Sequence, residues 1–108
     1  MNLLKVQTEN EFNKIVKVSK QNDAFVYLLF TSPWDENSNM IKEELALLDN
    51  DAPLYEVDYF KFPHTYCAFR ASTPSLVKIK GNRVRVLSNL ISIRNEVGLA
   101  SLLSPRNS

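Results

Sequence analysis

The stretch "FVYLLFTSPWDENSNMIKEELALL", residues 25 to 48, runs from an apolar segment through Pro33 and Trp34 into Asp35 and Ser38. An acid and a hydroxyl three positions apart near a helix start can approach each other. That pair alone is a poor nucleophile, because hydroxyl catalysis needs an activating base and a third group that orients it. The one histidine, His64, stands in a separate stretch after Pro63. The simpler expectation is that Asp35 or Ser38 caps the helix and accepts its free N–H groups.

The one cysteine, Cys67, lies between Tyr66 and Ala68, with Phe69 and Arg70 following. Such a residue usually packs as a small hydrophobe, and it reacts only if exposed in an electropositive setting. A redox or regulatory protein that works through Cys67 alone is therefore one alternative reading. An intramolecular disulfide is excluded. No His, Cys or carboxylate spacing suggests a metal site. The two glycines, Gly81 and Gly98, are too few for a phosphate or dinucleotide loop, so no cofactor is indicated.

A third group is basic. Lys78, Lys80, Arg83 and Arg85 alternate with Val77, Ile79, Val84 and Val86 around Gly81-Asn82. The alternation predicts a hairpin with an apolar side and a charged side. Charges on an edge strand discourage unwanted pairing, which predicts a solvated face. A nucleic-acid accessory role for this hairpin is a second alternative. Thirteen Lys and Arg against twelve Asp and Glu leave a net charge of +1, which argues against it.

These groups need elements to hold them. At 108 residues, 44% hydrophobic and 23% charged, the chain is expected to form a single domain over residues 1–108. "MNLLKVQTENEF" turns polar too early for a signal peptide, and no apolar run is long enough for a membrane, so a cytoplasmic location is expected. Residues 3 to 6 suggest a first strand. Thr8 and Glu11 form a capping-box pattern ahead of Phe12, Ile15 and Val16. "AFVYLLF", residues 24 to 30, lacks alternation, as a strand covered on both faces does. Met40, Ile41, Glu44, Leu45 and Leu48 mark the apolar side of the next helix. "PLYEVDYF" from Pro53 to Phe60 reads as a strand whose end includes Tyr59 and Phe60, and "KFPHTYCAFRASTP" as a loop and short helix. Ser92 is the expected cap of a last helix carrying Ile93, Val97, Ala100 and Leu103. This order predicts an α/β three-layer sandwich with a central mixed sheet and right-handed parallel crossovers.

The order and two anchors resemble thioredoxin. "FTSPWDENSNMI" lies where that family has Trp-Cys-Gly-Pro-Cys-Lys, and "STPSLVKIKGNRV" resembles its cis-proline segment and hairpin. The resemblance implies a thioredoxin-like fold with Trp34 ahead of the active turn and Pro74 cis after Thr73. It places Asp35 and Ser38 on the two cysteine positions and Leu29 where many thioredoxins carry a buried acid. A carboxylate cannot form a mixed disulfide and a hydroxyl cannot resolve one. The expected function is therefore redox-inactive and non-enzymatic: an interaction or adaptor module that binds a protein through Trp34, Asp35, Ser38, Thr73 and Pro74. An exposed tryptophan is a typical anchor, although Trp34 suits the core as well. An inactive structural subunit pairing through its sheet edge or a helix is a further alternative. The partner's identity and the oligomeric state are left open.

Overall fold

Thr8 starts the first helix. Its extended backbone and its Oγ1, which accepts from Glu11 N at 3.1 Å, set up α1 over Glu9–Asn22. Asp23 ends α1 in the left-handed region at φ 49°. These residues belong to a computed structural model that describes residues 3–48, 53–62 and 73–98.

The remaining elements follow the expected order. β1 is Leu3–Lys5, β2 Phe25–Thr31, α2 Glu36–Ala46 and β3 Leu54–Asp58. β4 is Ser75–Lys80, β5 Arg83–Leu87, and the last helix, α3, is Leu90–Val97. The sheet order is β1-β3-β2-β4-β5. β3 is parallel to both β1 and β2, whereas β4 runs antiparallel to β2 and β5 antiparallel to β4. The mixed sheet is thus as expected. The short helix expected after Lys61, with His64 and Cys67, lies outside the described residues, as do Ala100 and Leu103.

β2 explains its own unbroken hydrophobicity. Successive strand side chains point to opposite faces, and both faces of this strand are covered. Val26, Leu28 and Phe30 join Val6, Phe12, Val57, Val77 and Ile79 under α1. Tyr27 and Leu29 join Ile41 and Leu45 of α2 and Ile93 and Val97 of α3 on the other face. Among the described residues, one helix on one side and two on the other make the three layers. Arg94 of α3 holds Glu44 of α2 through two bonds, Nε at 2.7 Å and Nη2 at 2.8 Å, a planar fork that fixes how the two helices lie together.

Four expectations are corrected. The cap of α3 is Asn89, whose Oδ1 accepts from Ser92 N at 2.8 Å, so the helix begins a turn earlier than Ser92. Tyr59 and Phe60 do not close a core strand: β3 stops at Asp58, and Phe60 stands 67% exposed in the turn beyond it. Val84 and Val86 do not form a buried apolar side, because β5 is the sheet edge and both are exposed. Met40 is exposed, so Ile41, Leu45 and the buried hydroxyl of Ser38 make the inward side of α2.

Candidate functional site

β2 and β3 both end at one rim of the sheet, and the chemistry-bearing residues gather there, as is common for sites in sheets with parallel strands. Tyr59 N donates to Thr31 O at 2.8 Å, which clamps the two strand ends together. After Thr31 the chain turns tightly, with Asp35 N donating to Ser32 O at 3.1 Å. Asp35 is then the N-cap of α2 in an extended conformation. The cap expectation is met, and both oxygens are used. Oδ1 accepts from Asn37 N at 3.1 Å, and Oδ2 accepts from the Ser38 hydroxyl at 2.9 Å. Ser38 Oγ in turn accepts from Ser32 N at 3.2 Å.

This is a closed circuit. Ser38 is fully buried, its proton is given to Asp35, and its lone pair is taken by a backbone N–H. A hydroxyl so placed has no path to an external electrophile. The acid–hydroxyl pair positions the turn.

Trp34 points the other way. It is 70% exposed, which decides its two possible roles against the core. Its ring meets Phe60 edge to face, with centroids 4.8 Å apart and planes at 87°. Phe60 is held by its backbone: its N–H donates to Asp58 Oδ1 at 2.8 Å, while Asp58 O accepts from Lys61 N at 3.1 Å and Phe62 N at 2.9 Å. Sequence reasoning missed Phe60. The signal available was the run of aromatics after Asp58, too long for the strand to bury.

The Thr73–Pro74 bond is cis, as the resemblance implied. Pro74 is buried and Thr73 half-buried. They immediately precede Ser75, which pairs with Phe30 near the end of β2, so this loop reaches the same rim as Asp35. Leu29 is fully buried where an acid was expected to be missing. Its register partner on β3 is Glu56, a largely buried carboxylate that accepts from Thr31 Oγ1 at 2.7 Å and pairs with Lys42 Nζ at 3.1 Å. Sequence reasoning also missed Glu56, since its partners come from two other elements.

The basic hairpin is divided. Lys78 and Arg85 are register partners, and both bind Glu96 of α3, at 3.4 Å and 3.1 Å; Lys80, Arg83 and Arg85 are exposed, as a solvated face requires, while Lys78 is half-buried. Tyr27 Oη donates to the same carboxylate at 2.9 Å. Burial first, then the hydrogen bond to Glu96 and its negative charge, push the Tyr27 hydroxyl up to about 12. Lys80 and Arg83 face each other beside the Gly81-Asn82 turn, where Gly81 adopts φ +59°. Among the described residues no ion pair engages Lys80 or Arg83. The candidate thiol Cys67 lies outside the described residues, and among those described no group of three potential ligands could hold a metal.

This arrangement is the thioredoxin fold. Solved structures similar to the chain include thioredoxin O2 from Arabidopsis thaliana in its oxidized state, with TM-score 0.75, 18% identity and 95% of each chain covered. Thioredoxin NaTrxh from Nicotiana alata gives TM-score 0.76 at 12% identity, covering 92% of this chain and 90% of that one. An N21Q mutant thioredoxin from Halobacterium salinarum gives 0.70 at 20%, covering 96% and 95%. No protein-family model matches the sequence, and comparison with curated proteins finds no match either. The chain is a divergent form of the fold: its one cysteine cannot make the paired-cysteine motif. Among the described residues no helix is long and apolar enough to cross a membrane.

Proposed function

We propose that the chain is a protein-binding module on a thioredoxin fold, an adaptor that performs no thiol–disulfide exchange at this turn and acts as no enzyme there. The observation behind the reading is the division of labour around Asp35. The acid and Ser38 satisfy each other inside, while Trp34 and Phe60 stand two-thirds exposed outside. Large aromatics fixed at a surface lose little entropy on binding and anchor interfaces. The surface is formed by Trp34, Asp35, Ser38, Thr73 and Pro74, with Phe60 added. Ser38 and Pro74 contribute shape from beneath, since both are buried. A cytosolic partner is the setting proposed for it.

The test is capture of partners from the native host's lysate by the full chain, compared with a Trp34→Ala, Asp35→Asn variant. Asparagine keeps the cap on Asn37 N but gives the Ser38 hydroxyl no acceptor on its nitrogen, so a urea midpoint establishes that the variant is folded before capture is compared. Capture of a specific partner by the wild type, reduced about tenfold or more in the variant, is the expected result. Equal capture by both moves the interface elsewhere and ends the reading. Nucleic-acid binding by the hairpin is disfavoured by the engagement of Lys78 and Arg85 with Glu96, which leaves two of the four cations uncommitted.

A further inference from the structure

The Trp34–Phe60 pair is a corner with a charge preference. Aromatic faces carry negative potential, and two rings set nearly perpendicular present a face and an adjoining edge to whatever enters the angle between them. Both rings are about two-thirds exposed, at 70% and 67%. They come from separate loops, and backbone bonds of those loops hold each one. The 4.8 Å contact between centroids fixes their mutual angle before any partner arrives.

Carboxylates adjoin the corner along the chain, that of Asp35 engaged by Asn37 N and Ser38. Asp35 follows Trp34 in the chain, and exposed Glu36 comes next. Asp58 touches the backbone of Phe60 at 2.8 Å. The one cation in this turn, Lys61, is drawn to Gln7 Oε1 at 3.4 Å and lies 5.6 Å over the Phe62 ring instead. Elsewhere the chain satisfies such a corner itself. Phe25 and Tyr27 pack edge to face at 5.4 Å, and Lys78 Nζ sits 5.1 Å and 5.7 Å from their centroids with Glu96 beyond. Among the described residues no cation lies over Trp34 or Phe60.

We infer that the Trp34–Phe60 corner, with Asp58 and Glu36 beside it, seats an arginine side chain carried on an exposed, extended stretch of the partner protein. The inference rests on the protein-binding reading above and gives that surface its chemistry. A cation within about 6 Å of a ring centroid is attracted by the ring face. Arginine fits better than lysine, because its planar guanidinium lies flat on one ring, sheds water more readily, and forks onto a carboxylate at the same time.

A random dodecapeptide library displayed on phage and selected on the immobilised full chain tests this, with counter-selection on a Phe60→Ala chain. Phe60 is exposed in a turn, so that variant keeps its fold. Retained peptides are expected to be enriched in arginine at one position. The best of them, synthesised with arginine or with citrulline there, is then titrated against the fluorescence of Trp34, the one tryptophan of the chain. The citrulline form is expected to bind about tenfold more weakly. Asp58→Asn should weaken the arginine peptide and leave the citrulline peptide unmoved, which is a coupling between the two sites. Equal binding of both forms, lysine serving as well as arginine, or failure to retain any peptide each overturns the inference. If neutral peptides quench Trp34 as well as charged ones do, the surface still binds protein and only the arginine seat is lost. If the lysate experiment also shows no dependence on Trp34, the broader reading fails with it.

Discussion

Replacing Glu96 with alanine is expected to cost about 2–4 kcal/mol of folding stability, read as a lower urea midpoint with an unchanged slope. Three groups converge on this one carboxylate: Tyr27 Oη at 2.9 Å, Lys78 Nζ at 3.4 Å and Arg85 Nη1 at 3.1 Å. Lys78 and Arg85 are direct cross-strand neighbours, so without Glu96 two like charges face each other, an unfavourable pairing. Tyr27 is buried, and its hydroxyl would lose its acceptor. Arg85 is largely exposed and screened by solvent, which is why the figure stays below that for a fully buried network. Glu96→Gln keeps an acceptor for Tyr27 and should cost about half as much. The pH dependence carries a sign. Tyr27 ionises near 10.0 when unfolded and at about 12 when folded. The folded state therefore holds the phenolic proton more tightly. The stability this provides is complete below about pH 10 and is lost as the pH rises towards 12. In Glu96→Gln the folded value falls, because the charge of Glu96 helps to raise it, and the window narrows. An absorbance titration against a Tyr27→Phe control isolates this phenol from the others.

The elements were legible wherever local chemistry dictates them. Thr8 caps because its own side chain reaches the first free N–H groups, and no distant residue is needed. The β2 run reads as a strand covered on both faces because each face must be apolar for that to hold. The Gly81-Asn82 turn declares itself by its φ requirement. What failed depended on what lies opposite. Val84 and Val86 alternate as a half-buried strand should, yet β5 is the edge, and alternation does not say whether a layer covers it. Tyr59 and Phe60 continue the composition of β3 beyond the point where the strand stops. Four charges alternating in a hairpin look alike in sequence, and only the docking of α3 shows that Glu96 engages two of them and leaves two uncommitted. Glu56 was unreadable for the same reason, since its partners Thr31 and Lys42 come from β2 and α2. Asp35 and Ser38 were found by spacing, and their cap was correctly expected. The aromatic that completes the site came from beyond the end of β3, the strand beside β2.

Installing two thiols tests whether this turn can carry disulfide chemistry. In a Cys67→Ser background, Asp35→Cys together with Ser38→Cys is expected to close a disulfide and to reduce insulin faster than the Cys67→Ser chain assayed beside it. The positions suit it: the present side chains already meet at 2.9 Å, and residues three apart at a helix start lie about 5–6 Å apart, within reach of an S–S bridge. A thiol at position 35 would sit at the N-cap of α2, where exposed N–H groups favour the thiolate. A thiol brought near neutral pKa this way reacts about tenfold faster than an ordinary one. Losing the Asp35 cap costs about 1 kcal/mol, which the closed bridge offsets. Turnover should stay slow. Leu29 offers no acid to take a proton from a buried thiol at position 38, and Glu56 beside it is already held by Lys42 and Thr31. Adding Leu29→Asp should therefore raise the rate again if the variant folds, because the two effects act on different steps. A folded double-cysteine chain that forms no disulfide would mean that the turn departs from redox geometry in its backbone as well as in its side chains. A chain that does form one would show that the backbone of the turn still meets the geometry of a disulfide, with the exposed aromatics Trp34 and Phe60 beside it.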